Sequence, residues 1–117
     1  MGIDLKFFAS HFREIRGEFL ATADLRLDRD PRLLAQLSRD AKPCLVHPLP
    51  SGLTVGHYEQ DGLKLEAVDR YGAPLTFTTS IDLRKLRLPA DLEPWNRAVL
   101  SFALALPPHA RIILYWC

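Results

Sequence analysis

The most continuous apolar pattern lies at the end of the chain. Between residues 94 and 106, apolar side chains cover more than one face of a helical projection, which predicts a buried helix. Pro94 suits the first turn of this helix, and Pro107 and Pro108 end it. Residues 111–117 are then largely β-branched or aromatic, with polar residues only at the ends. They predict a central strand covered on both faces, whose neighbours must come from earlier in the chain.

Two strands are predicted near the N-terminus. Residues 3–12 are rich in aromatic and aliphatic side chains, and residues 19–27 alternate apolar with polar positions, broken only by Leu20. A polar turn ending at Gly17 separates the two, so we expect them to form a hairpin. His11 and Arg13 close the first strand, and we interpret them as ordinary solvated residues.

The next segment predicts a short helix and a weak strand. Asp30 and Pro31 are a favourable helix start, because Asp30 can accept a hydrogen bond from a free N–H group in the first turn. The helix is about two turns long and is bounded by Pro43. Residues 44–46 are expected to form a brief strand, and Pro48 and Pro50 make its continuation an edge or a loop.

Asp61-Gly62 is the strongest local signal, because this dipeptide suits a two-residue type I′ hairpin turn that fixes the strand register. The predicted register places opposite charges together and apolar residues together: Glu59 with Lys64, Tyr58 with Leu65, His57 with Glu66, and Val55 with Val68. One face of the hairpin is apolar and comprises Tyr58, Leu63, Leu65 and Ala67. The other face, with His57 and Glu66, is expected to be solvated.

The remaining pattern completes the fold prediction. Residues 75–79 have strand composition, and Ser80 can cap a short helix with Asp82 in its first turn. The order of elements predicts one α+β domain spanning residues 1–117. It has a mainly antiparallel sheet with a buried C-terminal strand, and two or three helices packed mostly on one face.

Composition excludes several classes of protein. The 117 residues are 48% hydrophobic and 25% charged, with a net charge of +1 and no block of like charge. This indicates an ordinary globular chain without the electrostatic footprint of a nucleic-acid-binding protein. The longest uncharged apolar run, residues 98–106, is far shorter than the roughly 20 residues that cross a bilayer. We therefore expect no membrane association, and no signal-peptide pattern is present.

Two cysteines in a chain with a sizeable apolar core do not suggest a disulfide framework, so we expect a reducing, cytoplasmic compartment. The content of arginine and leucine suggests a bacterial protein. Cys44, His47 and His57 are possible metal-ligand types, but a single Cys-x-x-His spacing is not specific. We predict no metal site and no cofactor.

Candidate binding residues fall in two places. His57 opposite Glu66 could act as a proton donor or a pH-sensitive contact, or could be an ordinary cross-strand pair. The turn after the hairpin offers arginine and tyrosine, which concentrate binding energy at interfaces. The candidates are His57, Tyr58, Glu66, Asp69, Arg70 and Tyr71. Trp95 and Trp116 are assigned to the core because their neighbours are apolar.

These features favour a binding or protein-interaction module without catalytic activity. The partner could be a second copy, paired through an edge strand at residues 75–79. One alternative is a small hydrolase or isomerase that uses His57 with Glu66, or His47. The other is a nucleic-acid-binding module in which some of the eleven arginines gather on one surface.

Overall fold

The computed structural model describes residues 3–117 and builds its main sheet around the C-terminal strand. Strand β8 (Ile112–Trp116) pairs with β1 (Leu5–Ala9) on one side and with β7 (Thr76–Thr78) on the other. Strand β3 (Ala23–Leu27) lies beyond β1, and β4 (His47–Pro48) lies beyond β7. All four pairings are antiparallel, and the order is β3-β1-β8-β7-β4. The predicted central strand is confirmed.

Strand β8 is covered on both faces, as its lack of polar alternation predicts. Ile112 and Leu114 face the helices, whereas Ile113 faces a second sheet, and all three are 0% exposed. The helix-side core is the larger and comprises Leu5, Phe7, Leu27, Leu33, Leu37, Val46, Leu83, Leu92, Val99, Leu100, Ala103, Ile112 and Leu114. The core between the sheets comprises Phe8, Phe19, Ala21, Val55, Leu75 and Ile113. The protein is therefore an α+β structure with three layers.

The second sheet was not predicted. It contains β2 (Glu18–Leu20), β5 (Thr54–Glu59) and β6 (Gly62–Glu66) in the order β2-β5-β6, and β2 runs parallel to β5. We call it the small sheet. The strand predicted over residues 19–27 is split between the two sheets. Ala21 N donates to Gly56 O in the small sheet at 2.8 Å, and the next residue, Thr22, donates from its N to Ala9 O in the main sheet at 2.8 Å.

The helices begin at capping residues. Helix α1 (Pro31–Leu34) continues as a 3-10 turn over Ala35–Leu37, and Asp30 caps it by accepting from Arg32 N at 3.0 Å, as predicted. Helix α2 (Ser80–Leu83) is capped by Thr79 and not by Ser80, which is buried. Helix α3 (Pro94–Leu104) is the longest helix in the part of the chain described, and none of the helices there is long and apolar enough to span a bilayer.

Helix α3 buries a single stripe of residues, so the prediction of a fully buried helix is wrong. The stripe comprises Asn96, Val99, Leu100 and Ala103. Trp95 and Phe102 remain 48% and 41% exposed, because α3 packs against the main sheet on one side and meets solvent on the other. The assignment of Trp95 to the core is therefore wrong: its indole Nε1 donates to Arg26 O at 2.6 Å. Trp116 is half-buried.

The β5–β6 hairpin exists, but its register differs by two residues from the prediction. Gln60 and Asp61 form the turn, and Gly62, with φ 117°, is the first residue of β6. The observed pairs are Glu59 with Gly62, Tyr58 with Leu63, His57 with Lys64, Gly56 with Leu65, and Val55 with Glu66. A shift of two keeps every side chain on its predicted face, because side chains alternate with a period of two. The faces were grouped correctly.

Two further strand predictions are wrong. Residues 44–46 are irregular, and the strand forms directly after them, at His47–Pro48, as β4 at the edge of the main sheet. The segment 75–79 is not an edge, because β7 is paired with β8 on one side and with β4 on the other. A second copy cannot pair with β7 without displacing one of these strands.

Candidate functional site

The structure inverts the predicted orientation of the β5–β6 hairpin. His57 is 3% exposed and points toward the main sheet, whereas Tyr58, Leu63 and Leu65 are 64%, 51% and 67% exposed. Ala67, the fourth member of the apolar face, is exposed as well. The polar face of the hairpin therefore lies inside, and its apolar face lies in solvent.

His57 and Glu66 are brought together, as predicted, but in a buried setting. Nε2 of His57 lies 3.2 Å from Oε1 of Glu66, and the imidazole stacks on Phe8 with ring centroids 4.8 Å apart. Nδ1 has no hydrogen-bond partner among residues 3–117, because the nearest carboxylate oxygen, on Glu59, lies 4.0 Å away. The histidine fits between the two sheets because one carboxylate satisfies one nitrogen and aromatic rings cover the rest of the ring.

Tyr115 belongs to the same inter-sheet cluster. Its ring lies 5.4 Å from that of Phe8 and 6.2 Å from that of His57. Burial raises the pKa of Tyr115, and the negative charge of Glu66 raises it further, while Arg70 acts in the opposite direction. Tyr115 therefore stays a neutral phenol at physiological pH. Of the predicted candidates, Glu66 and Arg70 are the two whose charges act on the pKa of Tyr115.

The remaining predicted site residues do not join them. Tyr58 lies on the opposite face of β5 from His57. Asp69 is buried and builds the following turn, because its Oδ1 accepts from Tyr71 N at 2.8 Å and from Ala73 N at 3.1 Å. Arg70 N donates to Trp116 O at 3.1 Å, which docks this turn on the end of β8. Tyr71 is 56% exposed on the turn. The six candidates do not line a single site.

His47, the second histidine considered, forms a hydrogen bond with Asp82 at the edge of the main sheet. Its Nε2 lies 2.8 Å from Oδ2 of Asp82, which also accepts from Thr79 Oγ1 at 3.1 Å. The ring lies 5.2 Å from that of Phe77. This pair connects β4 to the start of α2. The thiol of Cys44 donates instead to Val46 O at 3.3 Å, and within residues 3–117 no three His, Cys, Asp or Glu side chains are placed to hold a metal ion.

The feature that the sequence prediction missed is the exposed side of the small sheet. We define the outer face as Leu20, Gly56, Tyr58, Leu63 and Leu65. Leu20, Leu63 and Leu65 close over Gly56, since a Cβ built there would lie 3.7, 3.3 and 3.4 Å from their methyl carbons. None of these five residues is charged. The sequence contains a signal for this orientation. Val55 gives the face with His57 an apolar side chain for the core, whereas the face with Tyr58 has a glycine, Gly56, at its centre.

The open edge of the small sheet adjoins the outer face. Gly56 O bonds to Ala21 N on the β2 side of β5, so the backbone groups of Leu65, its partner in β6, point away from β5. The same alternation directs the backbone groups of Leu63 to this edge. Among the strands of residues 3–117, none pairs with β6 at this edge over Gly62–Glu66. Lys64 is the one basic residue of β6, and its Nζ lies 3.4 Å from Asp61 and 3.9 Å from Glu59.

Comparisons with protein-family models, curated protein sequences and solved structures found no match.

Proposed function

We propose that this chain is a cytoplasmic, bacterial-type protein-interaction module without chemistry of its own. The observation that supports the proposal is the inverted hairpin, which leaves Tyr58, Leu63 and Leu65 in solvent while burying His57. Contiguous exposed apolar surface on a soluble domain marks an interaction site, since its exposure to water is unfavourable. Tyr58 is also of the residue type that contributes most at protein interfaces.

We further propose that the occupant of the outer face is a second copy of the chain. A face without charge selects its partner by apolar shape and not by charge complementarity, and an identical face meets that requirement. Two small sheets can pack face to face at about 10 Å, with one two-fold axis relating the copies. The net charge of +1 gives little repulsion between copies.

Size-exclusion chromatography with light scattering over a range of protein concentrations tests this proposal. The wild-type chain is expected to be a dimer. Tyr58→Lys and Leu65→Lys should each weaken dimerisation by at least about tenfold, because a charge would be buried at the interface. Tyr71→Lys is the matched control, since Tyr71 is an equally exposed tyrosine outside the outer face. It should leave the dimer intact.

A wild-type chain that stays monomeric at the highest concentration would reject the second copy as occupant. A different protein that wild type retains and Tyr58→Lys loses would then identify a heterologous partner. If Leu65→Pro abolishes association while Leu65→Lys and Tyr58→Lys do not, the contact is strand addition at the β6 edge, because proline removes the backbone N–H that Leu65 directs to that edge.

One observation favours the enzymatic alternative that uses His57 with Glu66. His57 lines a cleft of about 530 Å³ together with Phe12, Leu20 and Tyr58, and its Nδ1 carries no hydrogen bond within residues 3–117. Acid–base chemistry requires that a small molecule reach this nitrogen. Modification by diethyl pyrocarbonate, mapped by mass spectrometry, tests access. An unmodified His57 alongside modified His11 and His109 would contradict this alternative.

Nucleic-acid binding through surface arginines stays a prediction with less support. Arg26, Arg29, Arg32 and Arg111 each form an ion pair with a carboxylate of the same chain. Those four charges are already partly neutralised, which lowers the gain from contacting phosphates.

A further inference from the structure

A second cleft, of about 940 Å³, lies at one end of the main sheet and shares Phe12 with the cleft beside His57. It is formed by the loop that follows β1 (residues 10–14) and the loop that precedes β8 (residues 106–111), with Phe77 and Thr79 between them. Clefts of about 300–1,000 Å³ with apolar walls and a few polar groups are typical of small-molecule sites. The proposed interaction surface does not use this cleft.

The lining of the cleft carries two arginines, Arg13 and Arg111, and a single carboxylate, that of Glu14. His11 and His109 add ring nitrogens that can form hydrogen bonds. Arg111 pairs with Glu14 and lies over the ring of Phe77, with its guanidinium carbon 5.1 Å from the ring centroid. This pairing neutralises Glu14.

Arg13 is exposed and forms no ion pair with any carboxylate of residues 3–117. Its guanidinium is therefore the group in the cleft whose charge is not already compensated. A planar guanidinium with several N–H donors suits bidentate recognition of a carboxylate or phosphate.

Aromatic rings line the cleft together with the two arginines. The rings of His11 and Phe12 lie 4.2 Å apart at 39°, and Phe77 forms part of the wall. His11 is held by Thr22, whose Oγ1 accepts from His11 N at 3.1 Å and lies 3.0 Å from Nδ1. Nε2 is the nitrogen left to meet a ligand. Flat aromatic surfaces next to cationic groups suit a ligand with an aromatic body and an anionic substituent.

We propose that this cleft binds a small aromatic anion, with Arg13 pairing with its carboxylate or phosphate and with His11 and Phe12 contacting its ring. Both anionic groups share the chemistry that Arg13 recognises. The site is formed mainly by loops of the main sheet, with Phe19 of β2 in its wall, and it includes no residue of the outer face.

Two pairs of probes test the proposal by NMR titration of the labelled protein. Benzoate is compared with its neutral counterpart benzamide, and adenosine monophosphate with adenosine. Each anion should shift the signals of residues 10–14 and 106–111 and bind at least about tenfold more tightly than its neutral counterpart, as expected for hydrogen bonds to a charged group. The stronger of the two anions distinguishes carboxylate from phosphate. Equal binding of charged and neutral probes, or shifts located elsewhere, would overturn the proposal.

A matched pair of variants tests whether the guanidinium of Arg13 binds the anion. Arg13→Gln should weaken binding of the better anion by at least about tenfold, whereas Arg97→Gln removes the same charge from exposed α3 and should have no effect. Because both residues are exposed, neither variant should alter the fold, and the amide spectrum verifies this. Unchanged affinity in Arg13→Gln would also overturn the proposal. Leu65→Lys, on the outer face and outside the lining of either cleft, should leave anion binding unchanged, which separates this site from the proposed interaction surface.

Discussion

Individual buried polar residues fix how the elements join. Asn96 is 0% exposed on α3, and its side-chain amide pairs with both backbone groups of Asp28. Oδ1 accepts from Asp28 N at 2.7 Å, and Nδ2 donates to Asp28 O at 3.0 Å. The two hydrogen bonds resemble those between paired residues of a β-sheet, and they hold the start of α3 against the segment that follows β3. A buried amide is stable at this site because both its donor and its acceptor are used.

We expect Asn96→Ala to lower the free energy of unfolding by roughly 2 kcal/mol, because two hydrogen bonds are lost and a small cavity is left. Urea denaturation measures this change. Arg97→Ala, at the exposed neighbouring position, should change stability by less than about 0.5 kcal/mol. An equal loss in both variants would contradict the role given to Asn96.

Asp30 makes stability depend on pH. Hydrogen bonds from the Arg32 side chain, and to a lesser extent from its backbone N–H, hold the pKa of Asp30 below its ordinary value. A carboxyl whose pKa is lower in the folded state stabilises the protein above its unfolded pKa of about 3.9. That stabilisation is lost as the pH falls through the lower, folded value.

Thermal unfolding at neutral and acidic pH tests this effect. Asp30→Asn keeps a helix cap but lacks the charge, so it should be less stable than wild type at pH 7. The difference should narrow below about pH 4, where Asp30 of the unfolded chain becomes protonated, and disappear below the lower pKa of the folded state. Asp40→Asn, which removes an exposed carboxylate outside the ion pairs described, is the control. A difference that does not depend on pH would mean that the charge of Asp30 is not the cause.

At the scale of elements, β8 connects two cores with alternate side chains. Ile112 and Leu114 belong to the core under the helices, and Ile113 belongs to the core between the sheets. Only a strand buried on both faces can do this, and its unbroken apolar sequence is the reason it does. The adjacent strand β1 does the same with Phe7 and Phe8, so these two strands join the helices to the small sheet.

Ile112→Ala and Ile113→Ala should each cost about 3 kcal/mol, the usual range for such truncations in a core. The two variants should differ in which elements lose protection from amide hydrogen exchange. Ile112→Ala is expected to accelerate amide hydrogen exchange in α3, and Ile113→Ala to accelerate it in β5 and β6. Each variant is the control for the other. Identical exchange patterns would show that the two cores unfold as one unit.

At the scale of the whole molecule, the outer face of the small sheet contributes to the stability of the proposed dimer and little to the stability of a single copy. Leu65 is 67% exposed, so it contributes little to the stability of a single copy, whereas in the proposed dimer it would be covered. Leu65 therefore should affect the free energy of dimerisation and not the free energy of unfolding of a single copy.

The melting temperature of wild type should rise with protein concentration, because association stabilises the folded state by mass action. Leu65→Lys should melt at a temperature that does not depend on concentration and that matches dilute wild type. Differential scanning calorimetry at several concentrations measures this. A lower melting temperature of Leu65→Lys at high dilution would mean instead that Leu65 stabilises the single copy.

Much of the fold could be predicted from local patterns. The unbroken apolar sequence of residues 112–116 predicted the centre of the sheet, and Asp30 before Pro31 predicted a capped helix start. The pairing of residues 3–12 with residues 19–27 was also predicted, and the later part of the second segment confirms it, since β3 pairs with β1. In each case the determining interactions lie within the segment or follow from its own hydrophobicity.

The candidate site was predicted less well, since its residues depend on which sheet a strand joins. Alternation grouped Tyr58 with Leu63 and Leu65 but could not tell which face of the hairpin meets the core. The apolar face was expected inside; Phe8 and Glu66 instead provide a buried setting in which His57 fits. The break between β2 and β3 at Ala21 and Thr22 could not be predicted for the same reason. These adjacent residues bond to Gly56 and Ala9, which lie in different sheets and far from them in the sequence.

The sequence by itself determined the kinds of elements, their approximate order and which side chains share a face. These follow from backbone geometry, helix capping and the period of the apolar pattern, all of which act over a few residues. Only the tertiary structure decided that there are two sheets, that the hairpin presents its leucines to solvent, and that the loops at residues 10–14 and 106–111 form a cleft. Those features depend on contacts between segments far apart in the chain, where the packing of one layer sets the orientation of the next.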